Sequence, residues 1–166
     1  YLQRPDGSAP QALPNQPGGE LGGLLAARDG ALRTAQAETD QLAFDLSGAI
    51  NTAAMAGFGL DGGTGRPLFN TTATSSGAAG QLVVNPVIIA DTSLFPAGAT
   101  AAPGDAGAAQ AMINTESLTL SSGTTASGAL ARITTQFGAT AERASTTHEG
   151  DSAVLSHLDA MRQSIS

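Results

Sequence analysis

The chain contains no cysteine, no lysine and no tryptophan, and a single tyrosine. Without cysteine there is no disulfide, no thiol nucleophile and no cysteine-ligated zinc. Seven arginines stand against fourteen acidic residues, for a net charge of −7. Such a chain lacks the basic footprint that phosphate backbones and anionic lipid attract, so neither nucleic acid nor a membrane is an expected partner. No apolar run approaches the ~18 residues that would cross a bilayer. Aromatic residues make up 4% of the sequence, too little for a thick core. What the 166 residues do carry is small side chains, 32 alanines and 21 glycines. This composition suits thin layers in which backbones approach closely, while a 41% hydrophobic content argues against wholesale disorder. An opening residue Tyr1 rather than Met leads us to expect a processed product or a piece of a longer protein.

Residues 1–17 hold Pro5, Pro10, Pro14 and Pro17, a spacing no helix survives, and read as the exit of a preceding β-rich domain. From Glu20 to Ala56 there is no proline. Positions 21, 25, 28, 32, 35, 39, 42, 46, 49 and 53 are apolar in eight of ten cases, the stripe of a long helix with a coiled-coil-like seam. Gly57 is expected to stop this helix in a left-handed conformation. Residues 57–124 read as a small β/loop insert, with β-leaning runs at 67–69 and 81–85, a helical turn within 87–95 and a short helix over 106–114. From Thr125 the helical period returns and runs to Ser166, with Thr124 or Thr125 as its cap. The expected fold is mostly α: two long antiparallel helices, about 20–56 and 125–166, of an incomplete bundle with the insert between them. The seam residues are Leu21, Leu25, Leu32, Leu42 and Leu46 on the first helix. On the second they are Leu130, Ile133, Phe137, Val154, Leu158, Met161 and Ile165. Matching Leu21 to Ile165 places Arg28 beside Asp159 and predicts a contact between them. Two such helices bury too little to be self-sufficient, which calls for a further helix from elsewhere in the protein or from a neighbour.

Candidate chemistry is sparse. Gly57-Phe58-Gly59-Leu60-Asp61-Gly62 fits a dinucleotide fingerprint by letter, but that motif needs a strand before it and a helix after it, and here the order is reversed. Gly150-Asp151-Ser152 with His157 and Asp159 has the residue types of a serine hydrolase. On one helix, however, Ser152 and His157 are five positions apart and face differently. His148 and His157 are the only imidazoles and sit on opposite helix faces, so they do not share a metal. Asn70-Thr71-Thr72 matches a glycosylation acceptor, which carries meaning only in a secretory context. No catalytic, cofactor or metal site is expected.

The string Gly18-Gly19-Glu20-Leu21-Gly22-Gly23-Leu24-Leu25-Ala26-Ala27-Arg28-Asp29 carries a resemblance, continued by Ala54-Met55-Ala56-Gly57-Phe58-Gly59-Leu60-Asp61-Gly62, Val83-Val84-Asn85-Pro86 and Leu158-Asp159-Ala160-Met161-Arg162. Over about residues 16–166 the chain resembles the flagellar hook-associated proteins of the first type, which join hook to filament. The resemblance implies a non-enzymatic axial subunit, exported by the flagellar secretion apparatus and extracellular. Its implied partners are other copies of itself in a ring, the hook protein, the filament-side junction protein, and an export chaperone bound through a final helix beyond this sequence. It further implies that residues 18–166 are the C-terminal part of a helical core domain. Another axial subunit (filament-side junction, hook or rod) and a secreted coiled-coil adhesin module are the alternatives.

Overall fold

A computed structural model describes residues 19–70 and 72–165, without the side chains of Glu20, Leu21 and Ile165. The expected β-domain exit at 1–17 lies outside the described residues. The chain is mostly helical, in the order α1 (Gly19–Ala26), a π-helical turn (Ala27–Leu32), α2 (Arg33–Ala56), α3 (Pro86–Ala90), α4 (Gly107–Ile113) and α5 (Ala126–Ile165). Three short 3-10 turns, Ala79–Gln81, Thr92–Leu94 and Asn114–Ser117, lie between them. Among the described residues there is no sheet. The expected β content of the insert reduces to two isolated antiparallel bridges, Phe58 with Gly98 and Phe69 with Val84.

The chain divides into two compact units, residues 19–34 with 137–165, and residues 35–136. In the first, α1 runs into a turn of i→i+5 type over Ala-Arg-Asp-Gly-Ala-Leu. Gly30 weakens the α preference there, and the turn closes with the Arg33 N–H on the Gly30 carbonyl. A π turn holds about one residue more than an α turn, so a stripe counted in steps of three and four loses its phase within 27–32. Arg28 bonds its own neighbour Asp29 through Nε (2.8 Å) and Nη2 (2.7 Å), and Arg33 Nε stands 3.8 Å from the same carboxylate. The expected Arg28–Asp159 pair does not form: the local carboxylate, one residue away, captures the guanidinium.

In the second unit the core is thin. Its buried apolar residues are Ala43, Ala54, Ala78, Ile88, Ala108, Met112, Leu120, Ala129 and Ile133, with Pro96 fully enclosed. Five of these nine are alanines, the small-residue layer that the composition foretold. Gly57 follows α2, but its backbone is not left-handed. It is glycine because the chain closes on it: a Cβ there would lie 2.7 Å from both the Ala108 Cβ and the Pro96 carbonyl. The expected left-handed stop is corrected to a steric requirement. Left-handed glycines come later, at Gly62 and Gly65. Asn85 starts α3 by accepting the Val87 N–H, with Pro86 at the first helical position where its missing N–H costs nothing. The same side chain donates to the Pro67 carbonyl (3.0 Å). Asp105 starts α4 by accepting the Gly107 N–H at 2.8 Å, and Thr125 Oγ1 accepts the Gly128 N–H at the head of α5.

Within this unit α2 and the start of α5 run in opposite directions. Glu38 Oε1 is 3.8 Å from Arg132 Nη1, and further along α2 Asp45 holds Ser121. This fixes a register different from the expected one. Setting Leu21 opposite Ile165 would bring Glu38 beside His148; Arg132 is there instead, 16 positions earlier, or about 24 Å of helix. The loop joining insert to α5 sets the register, through Ser121 on Asp45, rather than the pairing of apolar stripes.

Candidate assembly surface

The inner face of α2 is polar and small. Asp40 and Asn51 are 6% and 4% exposed, and Ala43 and Ala54 lie between and beyond them. Spacings of three, eight and three residues put all four on one side of the helix. Each polar side chain grips main chain. Asp40 accepts the N–H groups of Gly77 (2.8 Å) and Ala79 (3.0 Å). Asn51 pairs with Phe69 as a strand would, accepting its N–H at 2.8 Å and donating to its carbonyl at 3.0 Å. Asp45 accepts from the Ser121 N–H at 3.1 Å and from the Ser121 hydroxyl, and Gln41 Nε2 donates to it at 2.7 Å. Three loops of the insert are thus fastened to one helix. Among the described residues, no buried side-chain polar atom lacks a partner.

The seam residues occupy other positions. Leu42 and Leu46 are half-buried, about a third of a turn around α2 from the Asp40–Asn51 face. Leu25 is half-buried and Leu32 exposed, and the side chains of Leu21 and Ile165 are outside the described residues. On α5, Ile133 is buried, and Ala129 beside it is more so. Leu130, Phe137, Val154, Leu158 and Met161 are all exposed, as is Leu155 next to the stripe. Of the expected α5 seam, five side chains thus lie exposed on this chain and Ile133 is buried; the sequence reading did not name Asp40, Asp45 and Asn51. Their signal was faint: polar residues recurring with Ala43 and Ala54 on one helical face.

The glycine fingerprint forms a turn that follows a helix rather than opening one. Gly59 N–H bonds the Gly63 carbonyl and Gly62 N–H the Gly59 carbonyl, each at 3.0 Å. A Cβ at Gly63 would collide with Arg66 Nη2, and one at Gly59 with Asp61 Oδ1. The glycines make room for an Asp61–Arg66 ion pair rather than for a phosphate. Hydrogen bonds from the Arg66 guanidinium and the Gly63 N–H hold the Asp61 carboxyl below the usual carboxylate range. Asp91 is lowered by the Ser93 hydroxyl and N–H. Asp105 is lowered furthest, to about 2, by the Thr100 hydroxyl and then the Gly107 and Thr100 N–H groups. Each of these carboxylates ties a turn. Ser152, His148 and His157 are exposed on α5, and among the described residues no group of three or more His, Asp or Glu side chains could hold a metal ion. No described helix is long and apolar enough to cross a membrane.

Residues 2–69 match the family model of the flagellar hook-associated protein FlgK helical domain. The match takes in α1, the π turn, α2 and the fingerprint turn, and over these residues the chain is similar to that domain. Comparison with curated proteins and with solved structures gives no match.

Proposed function

We propose that this chain is a structural axial protein of the bacterial flagellum, without catalytic activity, placed at the junction between hook and filament. The observation that carries the reading is the similarity of residues 2–69 to the FlgK helical domain. The uncovered stripe on α5 (Leu130, Phe137, Val154, Leu158, Met161) supports it, because an axial subunit needs apolar helix surface for its neighbours. In this reading residues 18–166 are the C-terminal part of a helical core domain into which 57–124 is inserted, and 1–17 lead out of a β-rich domain. The partners are further copies of the chain in a ring, the hook protein and the filament-side junction protein. A chaperone carries the subunit to the flagellar export apparatus, which delivers it outside the cell.

The test is immunogold labelling of flagella in the bacterium that encodes the chain, together with deletion of the gene. Label in a narrow band at the hook–filament boundary, and hooks without filaments in the deletion strain, are expected. Label along the filament, hook or rod would reassign the chain to another axial position. Label on the cell surface with intact flagella would reject the flagellar reading in favour of an adhesin module.

A further inference from the structure

We infer that the insert, residues 57–124, is a detachable cap, latched to α2 by hydrogen bonds and able to open as one unit while α2 stays helical. The inference concerns residues 35–136 alone and holds whatever the chain assembles with.

Three observations carry it. The first is what lies on α2 beneath the cap. The fully buried residues of α2 are Asp40, Ala43, Asn51 and Ala54, so the apolar part at the centre of this face is one methyl group each from Ala43 and Ala54, with Phe44 and Ile50 half-buried at its edges. Apolar attachment scales with area, and the centre of the face is given to polar grips instead. The second is where the grips fall. Asn51, Asp40 and Asp45 hold the backbone at Phe69, at Gly77 and Ala79, and at Ser121. These points span most of the insert, so no single loop can leave without straining the others. The third is that the cap has ties of its own, independent of α2. Phe58 and Gly98 exchange both backbone bonds, Asn70 N–H reaches the Val83 carbonyl, Asn85 N–H the Leu68 carbonyl, and Ala109 N–H the Ala97 carbonyl. Asp105 binds Thr100 twice, and Asn85 binds Pro67. The cap therefore keeps its form when the latch opens.

The chemistry of the latch makes opening all-or-none. A partly opened cap leaves a buried carboxylate or amide without a partner and without water, the costliest arrangement for a polar group. A fully opened cap lets water replace every lost bond, so the net loss per bond is small. Intermediate openings are penalised and complete opening is not, the signature of a cooperative sub-global unit. Opening bares the Asp40–Ala43–Asn51–Ala54 face of α2.

Native-state hydrogen exchange on the 166-residue chain, read amide by amide by NMR, tests this. In Asn51→Ala, the amides of Asn85, Gly98 and Ala109, none bonded to Asn51, should lose protection together, by about tenfold or more. Amides in the middle of α2, residues 41–50, should keep theirs. Ser121→Ala removes one hydroxyl from the latch and leaves its backbone N–H, a change too mild to unfold the chain. It should shift the same cap amides in the same direction by a smaller factor. Loss confined to Phe69 and its neighbours would overturn the proposal by showing independent anchors. An equal fall across α2 would overturn it by showing that helix and cap unfold together.

Discussion

At the scale of single residues, the fold rests on groups that composition does not single out. Gly57 is one. Because its missing Cβ is occupied by the Ala108 methyl and the Pro96 carbonyl, Gly57→Ala must push α2 and α4 apart or twist the chain. Overpacking of this kind costs roughly 1–3 kcal/mol, which a lowered urea midpoint with unchanged slope would register. The carboxylates of Asp61, Asp91 and Asp105 make a second case. Their native pKa values lie below the ordinary 3.8, for Asp105 at about 2. A depressed carboxylate contributes stability that is complete above its unfolded pKa and disappears as pH falls through its folded one. The insert should therefore hold its structure down to about pH 4 and loosen between about 4 and 2. Asp105→Asn, which cannot titrate, should flatten the lower part of that curve when the transition is followed by NMR; an unchanged profile would assign the acid sensitivity elsewhere. None of these roles was legible beforehand. Asp40 and Asn51 look like solvent-facing polar positions because their partners are main-chain groups 18 to 39 residues away, and a backbone N–H leaves no mark in a sequence.

Elements were more legible, for reasons that are local. The proline-free run after Gly19 and the return of the 3.6 period after Thr125 both became helix, the latter capped by Thr125, one of the two expected candidates. The short helix expected at 106–114 is α4, Gly107–Ile113. What periodicity could not supply was the π turn at Ala27–Leu32, where one residue of slack interrupts the count, nor the alignment of α2 with α5. The stripe matching of Leu21 to Ile165 counted apolar residues, whereas the Glu38–Arg132 and Asp45–Ser121 contacts follow from the length and anchoring of the loop at 118–125. α5 itself carries Gly138 and Gly150 in open surroundings, with nothing near enough to obstruct a side chain. Gly138→Ala and Gly150→Ala should each stabilise the isolated chain's helix by about 1 kcal/mol, seen as a higher far-UV melting temperature. A lower one would mean that those glycines have close neighbours.

For the molecule as a whole, two kinds of surface coexist. One is fastened inward through polar grips on α2; the other, on α5, presents large apolar side chains to solvent. Exchanging one of the latter for a charge separates their roles. Leu158→Asp, at a position 51% exposed, should alter the melt of the isolated chain by no more than ~0.5 kcal/mol. In the reading proposed above it should also prevent the subunit from joining its neighbours, scored as hooks lacking filaments in cells that carry the variant. A large drop in the melt would show that the stripe is already covered within the chain. The manner in which α2 holds the insert has a longer reach. A carboxylate or amide that grasps peptide groups is indifferent to the identity of the amino acids it holds, since every residue but proline offers the same N–H. Positions 69 and 79 are thus free to be rewritten, and the loops around them lengthened at their tips or adapted to a new neighbour, while the helix positions that clasp them are not; position 77 keeps its left-handed glycine and position 121 the hydroxyl that Asp45 also holds. Variation should gather on one side of each clasp, and constancy on the other.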